Sequence, residues 1–534
     1  MSFELLHQSL YANAEANPDA EALIVHKGES VDYGSVVASI ETLARQFQVA
    51  GVGAGDRIAV YLPKTLLSAL APYAASLIGA VFVPVNPLLK AAQLGHILRD
   101  SEAKLLVTSA ERAMRHAALI ASEPLAGRVL VDGELPDPDG FAGRALAWAG
   151  ITRARDRDAA TVAVRARAGI AALLYTSGST GNPKGVVVTH ANLLAGIDSV
   201  AEYLRLSADD RLLAVLPFSF DYGLNQLTTA LAVGGTCVMF EYLLARDILT
   251  ALAQHGITGL AGVPTLWSQL AALEPADSAF PALRYFTNSG GSLPRSVLAG
   301  IRALFPAAEP FLMYGLTEAF RSTYLPPKYI DERPGSIGIP IPGADIVVIN
   351  AAGKPAAADE EGELVHSGCH VTAGYWNNPA ATAERFRAVP GVTDASGRPA
   401  IGVWSGDIVR ADSDGFLYFV GRRDGQIKTS GYRVSPEEIE EAAYTSGIVD
   451  MAGAFGIADE ALGQVIGLAV VPRAPASGFS SEQVFDACRA ALPAYMVPKE
   501  IFVLDTMPLN QNGKVDRLAL AHTYAPGYAA ADGS

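Results

Sequence analysis

The chain has 534 residues, half of them hydrophobic and 18% charged, which excludes disorder as its dominant state. At roughly 100–200 residues per unit, that length predicts about three or four structural units. The net charge of −15 argues against a nucleic-acid binder, whose footprint is normally basic. Cys237, Cys369 and Cys488 are far apart and show no Cys-x-x-Cys spacing, so neither a disulfide framework nor a thiolate zinc site is expected. The first residues lack a basic start followed by an apolar block, and a reducing cytoplasm is the expected compartment.

Apolar, β-rich runs alternate with Ala/Leu-rich helical patterns over most of the length. Residues 57–61 (RIAVY), 105–107, 171–175 (AALLY), 212–216 (LLAVL) and 236–240 (TCVMF) are each followed by enough chain for a helix, which predicts α/β layers with largely parallel strands. Residues 66–83 (LLSALAPYAASLIGAVFV) are uncharged and long enough to raise the question of a membrane span. Pro72, Gly79 and the exit into Pro84 instead predict a buried helix running into a buried strand. From about 342 to 420 the texture changes to short strands and Gly-rich turns, with Asp414-Gly415 as a hairpin signal. After Gly421 a charged, glycine-punctuated connector leads to Ser435-Pro436-Glu437-Glu438, which reads as a helix start.

Residues 174–192 (LYTSGSTGNPKGVVVTHAN) carry the densest chemistry. An apolar strand ends in a run of Thr, Ser and Gly closed by Lys184-Gly185. Glycines let backbone N–H groups converge on an anion, hydroxyls add donors, and lysine adds charge. It is not the Walker A pattern, because Asn182-Pro183 follows Gly181. On composition alone, a phosphate cradle and a polar turn between strands are equally good readings.

The segment Thr176-Ser177-Gly178-Ser179-Thr180-Gly181-Asn182-Pro183-Lys184-Gly185 resembles the signature loop of the AMP-forming adenylating superfamily: acyl-CoA synthetases, adenylation domains of peptide synthetases, and luciferases. Further segments resemble that family's motifs in its order. They are Tyr314-Gly315-Leu316-Thr317-Glu318, Trp404-Ser405-Gly406-Asp407 (with Ser for the usual Thr), residues 421–428 with Gly431-Tyr432-Arg433-Val434, and Pro508 to Lys514. The resemblance covers essentially the whole chain. It implies a large N-terminal region (1–420) of two α/β sheet subdomains plus a β-rich subdomain, a hinge at 421–426, and a small mobile α+β domain over 427–534.

It also implies roles. The loop from Thr176 to Lys184 would hold the β- and γ-phosphates of ATP, Thr317 would meet the α-phosphate, and Glu318 would bind Mg²⁺, a hard cation that prefers oxygen. Tyr314 with Gly315 would lie against adenine beside Ser289, Gly290 and Gly291, while Asp407 would accept the ribose hydroxyls with Arg422 nearby. Lys514 would bridge the substrate carboxylate and the α-phosphate. Asp424 would be the hinge and Gly431 would face the path of the incoming thiol. For an isolated motif, a solvated lysine in a turn would be the ordinary reading of Asn512-Gly513-Lys514. His190 is left open between a site role and helix capping or packing.

The substrate region is LPFSFDYGLNQL at 216–227, and its Phe220-Asp221 pair resembles amino-acid adenylation domains. A carboxylate between Phe220 and Tyr222 is costly to bury without a cation, and a substrate ammonium would supply one. A plain Asp-x-Gly turn is the alternative. The expected substrate is an amino or imino acid, proline-like first, with Met313 and Arg321 in the pocket wall. Arg321 would either pair with Asp221 internally or bind a second carboxylate. No serine-centred carrier motif follows Lys514, so the expected acceptor is CoA or the phosphopantetheine of a separate carrier protein. An acyl- or aryl-CoA ligase and, from another class, a non-catalytic nucleotide-binding protein are the alternatives.

Overall fold

The structure is a computed structural model describing residues 3–122, 128–133, 145–156, 169–176, 183–273, 280–394, 396–422, 425, 427–429, 432–459, 463–473, 479–492, 494–510 and 513–525. Within these, three sheets organise the chain. A 7-stranded sheet runs in the order Ala145–Ala147, Val129–Asp132, Ala103–Ser109, Arg57–Tyr61, Val81–Pro84, Ile170–Thr176, Lys184–Thr189. Its strands pair in parallel until the last two, which form an antiparallel hairpin. Leu105, Leu106 and Val107 are fully buried, as an unbroken apolar run in a covered parallel sheet should be.

A 14-stranded sheet is parallel through one half, edged by the antiparallel strand Ser30–Asp32, and antiparallel through the other. The parallel half contains Glu21–Val25, Thr236–Met239, Arg211–Ala214, Gly259–Gly262, Tyr285–Asn288 and Glu309–Tyr314. The sheet continues through Thr323–Leu325, Ser336–Pro340, Leu417–Arg422 and Pro399–Ala411 to the outer strands Glu361–Gly368 and Ala344–Ile349. The hairpin expected at Asp414-Gly415 is there, with Gly415 at φ +83°.

Residues 66–83 form a buried helix, Leu66–Ile78, and a strand, Val81–Pro84. Thr65 caps the helix on Ser68, and Gly79 ends it in the left-handed region at φ 72°. Pro72 sits inside the helix at a cost of about 3 kcal/mol. Leu67, Leu70 and Leu77, buried at about 1.5–3 kcal/mol each, outweigh it. Among the described residues, no helix is long and apolar enough to cross a membrane.

Hydrogen bonding in the large sheet ends at Arg422 and resumes at Ile427 in a separate 5-stranded sheet. Helices Pro436–Tyr444 and Ser481–Ala491 pack with one core of that sheet, and Arg517–Tyr524 with another. Ser435 stands at the predicted cap position but donates its hydroxyl to Glu437 at 2.6 Å, so it makes no side-chain cap bond. Arg517 pairs with Glu437 at 3.0 Å and Glu440 at 2.9 Å, tying the last helix to the first helix of this unit.

Candidate active site

The site is assembled where strand ends of the large sheets meet one turn of the small unit. Thr176 and Lys184 are direct cross-strand partners at the end of their hairpin, so the loop between them emerges from a fixed base. Ser177, Gly178, Ser179, Thr180 and Gly181 lie outside the described residues. Lys184 extends its ammonium over the ring of Tyr375, 5.6 Å from the centroid. Tyr375 in turn donates its phenol proton to Glu318 Oε1 at 2.6 Å. The backbone carbonyl of Glu318 accepts from both the N–H and the hydroxyl of Thr372, at 3.0 and 2.8 Å. The phosphate-loop lysine and the expected metal-binding carboxylate are thus joined through one tyrosine.

Tyr314 ends its strand and hydrogen-bonds through its hydroxyl to Asp407 Oδ2. Asp407 faces Arg422 across the Pro399–Ala411/Leu417–Arg422 pairing, which places three expected nucleotide contacts on neighbouring parts of one sheet. Ser289 is buried, and Gly290 has φ +85°, a conformation that favours glycine. A Cβ built on Gly290 would lie 3.7 Å from Lys514 Cε and 3.8 Å from Phe220 Cζ, so these three residues converge. Gly315 packs against the backbone of Arg321 and Ser322.

Lys514 is carried by a tight turn. Asn510 N–H donates to the Lys514 carbonyl at 2.7 Å, the Asn510 side chain accepts from Lys514 N–H at 3.2 Å, and Gly513 adopts φ +73°. Glu441 of the small unit accepts from Arg295 N–H of the large one at 3.5 Å. Asp424 and Gly431 lie outside the described residues. His190 starts the helix His190–Leu204, and its Nδ1 accepts from Leu6 N–H at 3.3 Å. It is buried, with its pKa lowered to about 4 by desolvation, and ties the N-terminal helix to the core.

Asp221 occupies the first turn of the helix Asp221–Ala232, where its carboxylate accepts from Tyr222 N–H at 2.8 Å and from Thr317 Oγ1 at 3.3 Å. Burial raises its pKa, and Arg321, that N–H, Lys514 and Thr317 act in the opposite direction. Among the described ion pairs, none joins Asp221 to Arg321; the internal pairing that the sequence left open is not formed. Arg321 instead stacks on Tyr222, its guanidinium carbon 4.6 Å from the ring centroid, and reaches Asn225 Oδ1 at 3.4 Å. Met313 accepts from Tyr203 OH through its sulfur at 3.0 Å and lines the same wall.

Phe320 is held at φ +55°, a backbone state that costs a bulky residue of order 1–3 kcal/mol. Its buried ring fills the space over Gly196, so closely that a methyl group there would overlap it. This packing turns the chain at Phe320 and sends Arg321 inward. Tyr375, Thr372, Asn225, Gln226 and Thr229 were not singled out in the sequence. Spacing was a signal for the last three: residues 222, 225, 226 and 229 share one helical face, and that face is polar yet buried.

Fold and site together define an adenylate-forming ligase, an enzyme that activates a carboxylate with ATP. Residues 10–376 match the AMP-binding enzyme family, and residues 438–514 match the AMP-binding enzyme C-terminal domain. The chain belongs to the AMP-binding enzyme family. It is 34% identical over 510 residues to an L-proline–[L-prolyl-carrier protein] ligase of Streptomyces coelicolor, covering 91% of each. A feruloyl-CoA synthase of an Amycolatopsis species is 31% identical, with 94% of this chain and 95% of that protein covered. The crystal structure of ATP-bound MatB from Rhodopseudomonas palustris superposes with a TM-score of 0.84 at 25% identity, over 98% of this chain and 99% of that one. The protein is an AMP-forming acid–thiol ligase using ATP and Mg²⁺, and its relatives employ CoA or carrier-protein acceptors.

Proposed function

We propose that the acid activated is an amino or imino acid, held by its ammonium at Asp221, and that the acyl group passes to the phosphopantetheine thiol of a separate carrier protein. The observation that carries this reading is the desolvated Asp221 carboxylate at the head of the helix Asp221–Ala232, beside Thr317, outside ion-pair distance of Arg321 and with its pKa raised by burial. A cation delivered with the substrate relieves that cost. The prolyl-carrier ligase relative supports an amine-bearing acid and a carrier-protein acceptor.

In the reaction a substrate carboxylate oxygen attacks the α-phosphorus, and the bond to the pyrophosphate oxygen breaks. The thiol then attacks the acyl carbon and AMP leaves. Lys514, brought to Gly290 and Phe220, offsets negative charge between carboxylate and α-phosphate. Tyr314, Asp407 and the turn from Ser289 to Gly291 hold the nucleoside, with Arg422 beside Asp407 in register. Thr176 and Lys184 anchor the phosphate loop.

The donor set around Glu318 fits Mg²⁺. One oriented carboxylate is present, and no group of three or more His, Cys, Asp or Glu gathers among the described residues. That suits a cation that takes most of its ligands from water and phosphates. When bound, the ion neutralises phosphate charge.

Substrate-dependent ATP–pyrophosphate exchange over amino acids, fatty acids and aryl acids tests the assignment. Exchange driven by amine-bearing acids and abolished by Asp221→Ala, with ATP binding retained, supports it. Exchange driven only by acids lacking an amine makes the protein an acyl- or aryl-CoA-type ligase and rejects the role of Asp221.

A further inference from the structure

The pocket wall contains a buried cation that forms no ion pair among the described residues. Arg321 is 5% exposed, its Nε has no hydrogen-bond partner, and its described neighbours are the face of Tyr222 and the amide oxygen of Asn225. A ring face and an amide dipole lower the energy of a guanidinium without neutralising it, and Asp221 acts on it only from beyond ion-pair distance, so the desolvated charge has no anion in contact.

Arg321 is not alone. Asn225 Nδ2, Gln226 Oε1 and Thr229 Oγ1 are also buried without partners, at residues 2%, 8% and 1% exposed. All four line one cavity of about 30 Å³, together with Tyr222, Met313 and Thr287. Buried polar groups are ordinarily satisfied within the fold, so four orphans facing one space describe a built acceptor for a polar ligand. The charged donor sets its sign. The volume admits a carboxylate-sized group, at about 10–15 Å³ for each water-sized centre, but no long chain.

We infer that the substrate carries, besides the carboxylate that is adenylated, a second acidic group (a carboxylate or sulfonate) bound by Arg321 with Asn225 and Thr229 in this cavity. The inference rests on the placement of the substrate along the helix Asp221–Ala232 proposed above, and it narrows the substrate to an acid with an acidic side chain. Proline would present only ring methylenes to these groups and leave the guanidinium unpaired. Phe320 supports the assignment: its left-handed backbone, locked over Gly196, is what aims Arg321 into the cavity. Strained backbone persists where the surroundings enforce it, and here its product is the direction of one side chain.

Pyrophosphate exchange with matched pairs decides the matter. L-aspartate is compared with L-asparagine, L-glutamate with L-glutamine, and malonate and succinate are included as acids without an amine, beside L-proline. The expected result is at least a tenfold higher kcat/KM for an acidic member than for its neutral isostere. That preference should collapse in Arg321→Met and return in part in Arg321→Lys. The wild-type ratios alone decide the question if a variant does not fold. Preference for proline or the neutral members, or exchange with none of the acidic probes, overturns the second acidic group. Exchange with malonate or succinate equal to that with aspartate or glutamate keeps the Arg321 assignment while rejecting the ammonium role of Asp221, so the two readings fail separately.

Discussion

Tyr375 gives its phenol proton to Glu318 while its ring face receives the ammonium of Lys184. One side chain therefore links a cation on a strand of the 7-stranded sheet to a carboxylate in the turn Thr317–Ala319, off the end of a strand of the 14-stranded one. Removing the hydroxyl in Tyr375→Phe keeps the ring under Lys184 and frees the carboxylate. A hydrogen bond to a charged group contributes about 1.5–3 kcal/mol, so the exchange rate should fall about 10-fold or more. A titration of rate against Mg²⁺ should show a higher half-saturating concentration; an unchanged titration would remove Glu318 from the metal.

Lys514 comes from the small unit, and its side chain meets Gly290 and Phe220 of the large one. Lys514→Ala should lower pyrophosphate exchange by about 10²–10³-fold, the usual loss when one charge-stabilising donor is deleted. Thioester formation from a supplied acyl-adenylate should remain at the wild-type rate. Equal losses in both half-reactions would contradict a role confined to adenylation.

Gly196→Ala gives a prediction whose sign is the test. Gly to Ala inside a helix ordinarily stabilises by about 0.5–1 kcal/mol. Here the added methyl meets the Phe320 ring, and the substitution should destabilise by about 1–3 kcal/mol in chemical unfolding. Stabilisation would show that Phe320 is not locked as described.

The buried histidines set an acid limit. Burial lowers His7 and His190 to about 4, with each other's charge contributing for His7, and lowers His366 to about 3 from 6.5. Below about pH 6.5 the unfolded chain therefore binds more protons at these three imidazoles than the folded one does. Stability should fall as pH drops from about 6.5 towards 4, with Tm decreasing through that window. A flat Tm there would mean that these imidazoles are already charged in the fold.

The parallel strands are legible in the sequence because runs such as LLV at 105–107 have no polar face to offer solvent, and Gly79 and Gly415 mark turns that need φ above zero. The expected nucleotide contacts stand out as motif blocks, since each block is local in sequence. The Lys184–Tyr375–Glu318 chain is not, because its members are far apart and only sheet pairing brings them together. The orphaned polar face of the helix Asp221–Ala232 was visible as spacing, but spacing does not say whether such a face meets solvent or a cavity. The hydroxyl of Ser435 shows a smaller limit: sequence places a cap residue, and a nearby Glu437 decides where its proton goes.

Tyr314 and Asp407 belong to one uninterrupted sheet, with three strands between theirs, and Asp221 and Arg321 belong to the same large body, whereas Lys514 arrives on a turn of the small unit. On the proposed roles, holding and reacting fall to different pieces of the molecule. Retooling the large piece would change which acid is chosen while leaving the trigger alone, and grafting a different small piece would change the timing of the reaction without altering its taste.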